Sequence, residues 1–197
     1  MRISNFVQTS MNGMLSVALL GILATAAPAL ADDYSHANHN NAPAKLVQIV
    51  RDTTRGFAND PNSAPAGYGP VFGCISGPDH GAMGIHYVNM GLVGDGKINE
   101  YTPEALVYEP LGRNRFQLVA VEYIVDAATW LADSKNGGLP PQLEGQGFQL
   151  IGTPNRFGIP APFFELHVWL KDNPQGSFVD WNNNVSCDRA PDLTKVE

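Results

Sequence analysis

The chain has 197 residues, of which 12 are basic and 19 acidic, for a net charge of −7 with histidine neutral. An acid excess of that size argues against a nucleic-acid partner, which needs a basic face, and against an anionic membrane surface. The length allows one domain with a sizeable core and hardly two.

Residues 1–31 read as an export signal. Arg2 carries the only charge before an apolar run from Met14 to Ala27, Pro28 breaks that run, and Ala29-Leu30-Ala31 is a small-x-small cleavage site ahead of Asp32. The run is too short for a membrane span, and no later stretch approaches one, so the mature chain is expected to be exported without an anchor. Whether its destination is the periplasm or the medium stays open. Removing the leader takes away Arg2 alone among charged residues, which leaves 166 residues, 11 basic and 19 acidic, at net −8. Residues 32–42 are polar and aperiodic, a flexible lead-in. His36 and His39 stand three apart there and would ligate a metal only if the segment were helical.

A single globular domain is expected over 43–197. It opens with a helix from Pro43 to about Asn59, where Leu46, Val50, Thr53 and Phe57 recur at helical spacing, flanked by Val47 and Thr54. Residues 59–70 hold Pro, Gly and Asn in a long loop. The two cysteines, Cys74 and Cys187, stand 113 residues apart and in an oxidising compartment pair with each other. The chain-entropy account gives such a loop roughly 4–5 kcal/mol. A reactive thiol at Cys74 is the alternative, but no adjacent base or cation is evident to activate it.

After Cys74 the pattern turns to sheet. Strands are expected over 83–89, 105–109, 116–125 and 164–170, all rich in β-branched and aromatic residues. The second and third form a hairpin around Leu111-Gly-Arg-Asn114. They are apolar on both faces, so both faces must be covered. Residues 126–133 read as a short helix with Asp126 as N-cap. Residues 136–163 are a Pro- and Gly-rich loop with one strand near Phe148–Ile151, of a kind that often lines a site.

Three polar residues interrupt the apolar strands: His86 in Gly-Ile-His-Tyr-Val, Glu122 in Val-Ala-Val-Glu-Tyr-Ile-Val, and His167 in Glu-Leu-His-Val-Trp. A buried carboxylate is costly unless it is paired, hydrogen-bonded or bound to a cation. Two imidazoles and a carboxylate therefore point to a two-His-one-carboxylate metal site, to a His–Glu–His core network, or to metal-free acid–base chemistry. Zn, Fe, Mn or Cu would suit the first. Glu165, two residues from His167 on one strand, is the reserve ligand, and Tyr87 and Tyr123 are candidate donors to the ligands. Glu109 shares the face of Glu122 but lies about 21 Å along it, so it is expected at the surface beside the turn.

Other motifs carry less. Residues 73–84 are glycine-rich but lack a Gly-Lys-Ser/Thr ending and a following helix, which leaves a tight turn in place of a phosphate loop, with His80 solvated in it. Neither a Gly-x-Ser-x-Gly elbow nor a His-Glu-x-x-His pair occurs. Trp130, Trp169 and Trp181 read as core more than as a sugar platform, and Asn184-Val-Ser186 is a formal glycosylation sequon.

The strings Cys74-x-Ser-Gly-Pro, Gly81-Ala-Met-Gly-Ile-His-Tyr-Val-Asn89, Val121-Glu-Tyr123, Glu165-Leu-His-Val-Trp169 and Asp180-Trp-Asn-x-x-Val-Ser-Cys187 together resemble a functionally uncharacterised family of small secreted proteins, mostly bacterial. The resemblance spans roughly residues 44–187. It implies one exported domain in which these segments belong together, and it brings no activity with it. The chain departs from the family pattern at Asp79-His80, where a second glycine is usual, and at Asn183, where proline is; the first departure leaves His80 without a role by resemblance.

The expected architecture is α+β: an N-terminal helix on a curved, mostly antiparallel sheet or small barrel, closed by one disulfide. The expected function is binding of a divalent transition metal or a small ligand by a monomer, through His86, Glu122 and His167. A non-catalytic interaction module with a buried polar network is the rival, and a metal-dependent oxygenase or hydrolase the third reading.

Overall fold

Helix α1 spans Lys45–Thr54 in the computed structural model, which describes residues 44–77, 79–155 and 157–191. The leader, the lead-in with His36 and His39, and Pro43 lie outside the described residues. The buried stripe of α1 is Leu46, Val47, Val50 and Thr54, so Val47 and Thr54 face inward and Thr53 is half-buried. Thr54 turns its hydroxyl back to the Val50 carbonyl at 2.7 Å, a local bond that satisfies a buried polar group. The helix ends earlier than its periodicity implied. Gly56 sits in a 3₁₀ turn, Arg55–Phe57, that carries the chain off.

Against α1 lies a curved six-stranded antiparallel sheet. Its strands are β1 (Tyr68–Gly77), β2 (Gly81–Asn89), β3 (Ala105–Gly112), β4 (Arg115–Asp126), β7 (Gln149–Ile151) and β8 (Phe163–Trp169), in the order β1-β2-β3-β4-β8-β7. Two short strands, β5 (Gln142–Leu143) and β6 (Gln146–Gly147), pair apart from it. The β3–β4 turn is Arg113-Asn114, both at positive φ (52° and 54°), the handedness that matches strand twist in a two-residue hairpin. Beyond β4, Asp126 caps helix α2 (Ala127–Ala132) by accepting from the Thr129 N–H at 2.7 Å.

Strand β1 was not legible in the sequence: its residues read as breaker-rich loop and tight turn. It forms because it is an edge strand, where Pro70 need offer no N–H to a second neighbour.

Alternation divides the sheet into two covered faces. One presents Leu106, Tyr108, Val121, Tyr123, Val125, Leu166 and Val168 to Leu46, Val47 and Val50 of α1. The other presents Ala82, Val107, Ala120 and Trp169 to Val185 of the C-terminal segment. That segment is tied down three ways. Cys187 is bridged to Cys74 of β1. Ala82 and Asn182 exchange backbone hydrogen bonds at 3.2 Å. Gly81, at φ +76°, has no room for a side chain, since a Cβ there would fall 2.2 Å from the Asn182 carbonyl oxygen.

Glu109 is not at the surface. It shares the face of Glu122, as the hairpin implied, but it is buried, paired with Lys171, and accepts the Ser186 N–H at 3.1 Å. A bulge at Val119 of β4 makes this happen. The Val119 carbonyl accepts from both Leu170 and Lys171 N–H, which brings Lys171 alongside the turn end of β3.

Glu104, just before β3, is buried as well, and burial pushes its carboxyl up to about 8 despite a hydrogen bond from the Ile124 N–H at 2.9 Å. A raised carboxyl pKa favours the protonated group in the folded state, so its cost is absent below about pH 4.5 and grows as pH rises toward 8. Glu104→Gln should therefore gain stability over the parent across that window, by up to about 1.4 kcal/mol per pH unit. Urea titrations at pH 5, 6.5 and 8 check this; parallel curves would refute it.

Candidate functional site

His86 comes from β2, Glu122 from β4 and His167 from β8. Glu122 and His167 are direct cross-strand partners, while β3 separates Glu122 from His86. The residue of β3 opposite Glu122 is Ala105. The β3 partner of His86 is Val107, and the His86 ring reaches across β3 to the carboxylate. The Glu122 Oε1 lies 3.2 Å from His86 Nε2 and 2.9 Å from His167 Nδ1. The rings are edge-to-face, with centroids 6.5 Å apart, and His167 is stacked on Trp169 at 4.5 Å. All three polar side chains are buried, the least so only 4% exposed.

Burial alone would push the Glu122 carboxyl up. Charge on His86 and hydrogen bonds from His167 and His86 outweigh it, and the carboxyl is held well below the usual carboxylate range. An ionised carboxylate only accepts, so each imidazole donates to it. That leaves His86 Nδ1 and His167 Nε2 buried with no hydrogen-bond partner.

Above His86 the wall of the sheet opens. Pro70 of β1 pairs with Tyr87 and Cys74 with Ile85, so residues 71–73 stand opposite His86 alone and bulge away from β2. The gap is a cavity of about 490 Å³, within the size range of small-molecule sites. Val71, Phe72 and Ile75 of β1 form one wall, and the segment 157–162 forms another. Val88, Ile124 and Phe163 line it from the sheet, and His86, Glu122, Asp126 and Glu165 are its polar groups. The 136–163 loop thus contributes the wall, through its last third. His167 does not line the cavity; it meets it only through Glu122.

Glu165 lies on the face of His167 and accepts from Gln149 Nε2 at 3.0 Å. Tyr87 and Tyr123, read as donors to the trio, stand on the opposite face, as sequence neighbours of His86 and Glu122 must. Tyr87 packs edge-on against Tyr108 at 5.3 Å, and the Tyr123 hydroxyl donates to the Glu100 carbonyl at 2.7 Å. His80 is exposed beside Trp181, with ring centroids 6.2 Å apart. In the sequence Asp126 signals only a helix cap, and the β1 bulge has no signal beyond Gly73 and Pro70.

Both imidazoles address one carboxylate oxygen, an arrangement of a hydrogen-bonded line. Among the described residues no three His, Cys, Asp or Glu side chains form a group that could hold a metal ion. An ion bound by the trio would replace the two hydrogen bonds at Glu122 or take one of the orphaned nitrogens. Comparison of the chain with family models, curated proteins and solved structures gives no match, and its functional reading rests on this geometry.

Proposed function

We propose that the protein is an exported small-molecule binder that takes a mainly apolar ligand into the cavity over β2 and β4, with one polar group of the ligand against His86. The observation that supports this most is the orphaned Nδ1 of His86, buried in the floor of an otherwise largely apolar chamber. Leaving such a group without a partner costs about 1–3 kcal/mol, which a ligand would recover. The Cys74–Cys187 bridge supports an oxidising compartment. Among the described residues no helix is long and apolar enough to cross a membrane.

The test is fluorescence of N-phenyl-1-naphthylamine, an uncharged apolar dye, titrated with protein. Saturable enhancement is expected in the parent and its loss in Ile124→Trp, which fills the cavity from a half-buried wall position. A parent protein that leaves the dye dark would overturn the reading.

The orphaned nitrogens of His86 and His167 also favour a second reading, in which the trio takes a transition metal. Elemental analysis of untagged protein decides between the two. Stoichiometric metal lost in the His86→Ala, His167→Ala double variant supports the ion; metal-free protein that binds dye supports the ligand.

A further inference from the structure

Five arginines lie among the described residues, and they divide by partner. Arg51 donates to the Leu170 carbonyl at 2.8 Å, and Arg55 pairs with Asp52 at 2.8 Å. The side chains of Arg113, Arg115 and Arg189 are exposed and, among the described residues, make no hydrogen bond or ion pair. Those three line a single concavity of about 130 Å³ at the β3–β4 turn.

Two fixed pieces of backbone bring them together. Arg113 occupies the tight turn at φ 52°, and Arg115 opens β4 opposite Gly112. Arg189 comes from the far end of the chain, in a turn closed by the Ala190 N–H on the Cys187 carbonyl at 2.9 Å, and Cys187 is bridged to Cys74. Arg189 lies over Gly112: a Cβ on that glycine would meet its side-chain carbons at 3.6 Å. No carboxylate lines the concavity. Glu109, the acidic residue of β3, is committed to Lys171 and to the Ser186 N–H, and Asp188 stands outside the lining.

Guanidinium groups gathered without a counter-charge repel one another, here in a chain of net charge −7. An anion among them reverses that cost. The guanidinium fork matches an oxyanion with paired N–H donors, and the Asn114 amide adds another donor at the same turn. A phosphate group brings nearly two negative charges at neutral pH, which suits three cations better than a single carboxylate does. The concavity is smaller than the roughly 300–1,000 Å³ of a whole-ligand pocket, so it takes a head group. Because the rest of the molecule is acidic, an extended anionic surface is repelled as a whole, while a small oxyanion meets the local field.

We infer that the concavity between the β3–β4 turn and the 187–191 segment binds the phosphate group of a soluble phosphorylated small molecule, held by Arg113, Arg115 and Arg189. It shares no lining residue with the cavity over β2 and β4, and it stands apart from the ligand read there.

Calorimetric titration of the full chain with inorganic pyrophosphate at pH 7.5 and about 20 mM ionic strength tests this. Saturable binding of one pyrophosphate per chain is expected, weakening as salt rises. Arg113→Gln and Arg189→Gln should each weaken it at least about threefold, as loss of a charge-assisted hydrogen bond at an exposed site does. Lys135→Gln removes the same charge from an exposed turn elsewhere and is expected to leave the affinity unchanged. No saturable binding, or an equal loss in Lys135→Gln, would overturn the inference. Sedimentation with phosphatidylglycerol vesicles that pyrophosphate fails to reverse would overturn it as well, since the arginines would then serve a lipid surface.

Discussion

Glu122→Ala is expected to lose about 3–5 kcal/mol of folding stability at pH 7, the largest single effect in the molecule. The carboxylate is the one group that both imidazoles address, and it is buried beside β2 and β8 at the edge of the cavity. Its removal strands two donors in the interior and opens a hole beneath the cavity. Because the Glu122 carboxyl is depressed in the folded protein, its contribution is whole above about pH 4.5 and is lost as pH falls below that value. The penalty of the variant should shrink accordingly in acid. Urea denaturation at pH 7 and pH 3.5 reads both parts, and an equal loss at the two pH values would contradict the ionised hub.

A triple replacement separates a hub kept for stability from one kept for a site. His86→Leu, Glu122→Met and His167→Leu together remove every stranded group and keep the volume. Buried ion clusters exchanged in this way are often as stable as before or more so. The triple variant is therefore expected to match or exceed the parent in denaturant and to lose discrimination among ligand head groups. A triple variant less stable than Glu122→Ala would make the trio a structural necessity.

The second large effect belongs to the disulfide. Cys74→Ser with Cys187→Ser should cost about 2–5 kcal/mol, or a fall in Tm of about 4–20 °C for a domain of this size. Cys74 is the residue at which β1 rejoins β2 after the bulge, and Cys187 anchors the segment that covers the second sheet face. The loss should thus reach the cavity wall, and dye affinity should fall in the double variant even at temperatures where it stays folded. Calorimetry and dye titration on the oxidised parent and the variant measure the two effects separately.

The sequence announced the trio because a carboxylate and two imidazoles in uninterrupted apolar strands carry a cost that only mutual contact repays. Strand alternation also placed Glu165 beside His167. The same rule, applied to adjacent positions, puts Tyr87 and Tyr123 on the far face, away from the trio. Glu109 was different. Its burial depends on Lys171, 62 residues away, and on a one-residue bulge at Val119, neither of which hydrophobic periodicity records. The lift of residues 71–73 opposite His86, which creates the chamber, was likewise hidden. Glycine and proline in β1 signalled a break in regular structure, and the structure uses them inside a strand. Glu104 gave no signal at all, since a glutamate after a proline at a strand entrance is ordinary in solvent.

The order of the sheet leaves two outer strands, and neither is a good template for another chain. β7 is three residues long, and β1 carries Pro70 and a three-residue bulge along its run. Blunted borders of this kind discourage edge-to-edge stacking into fibrils, the standing hazard of an antiparallel layer. The distortion that hollows out a chamber over His86 therefore also makes the β1 border a poor template for an added strand.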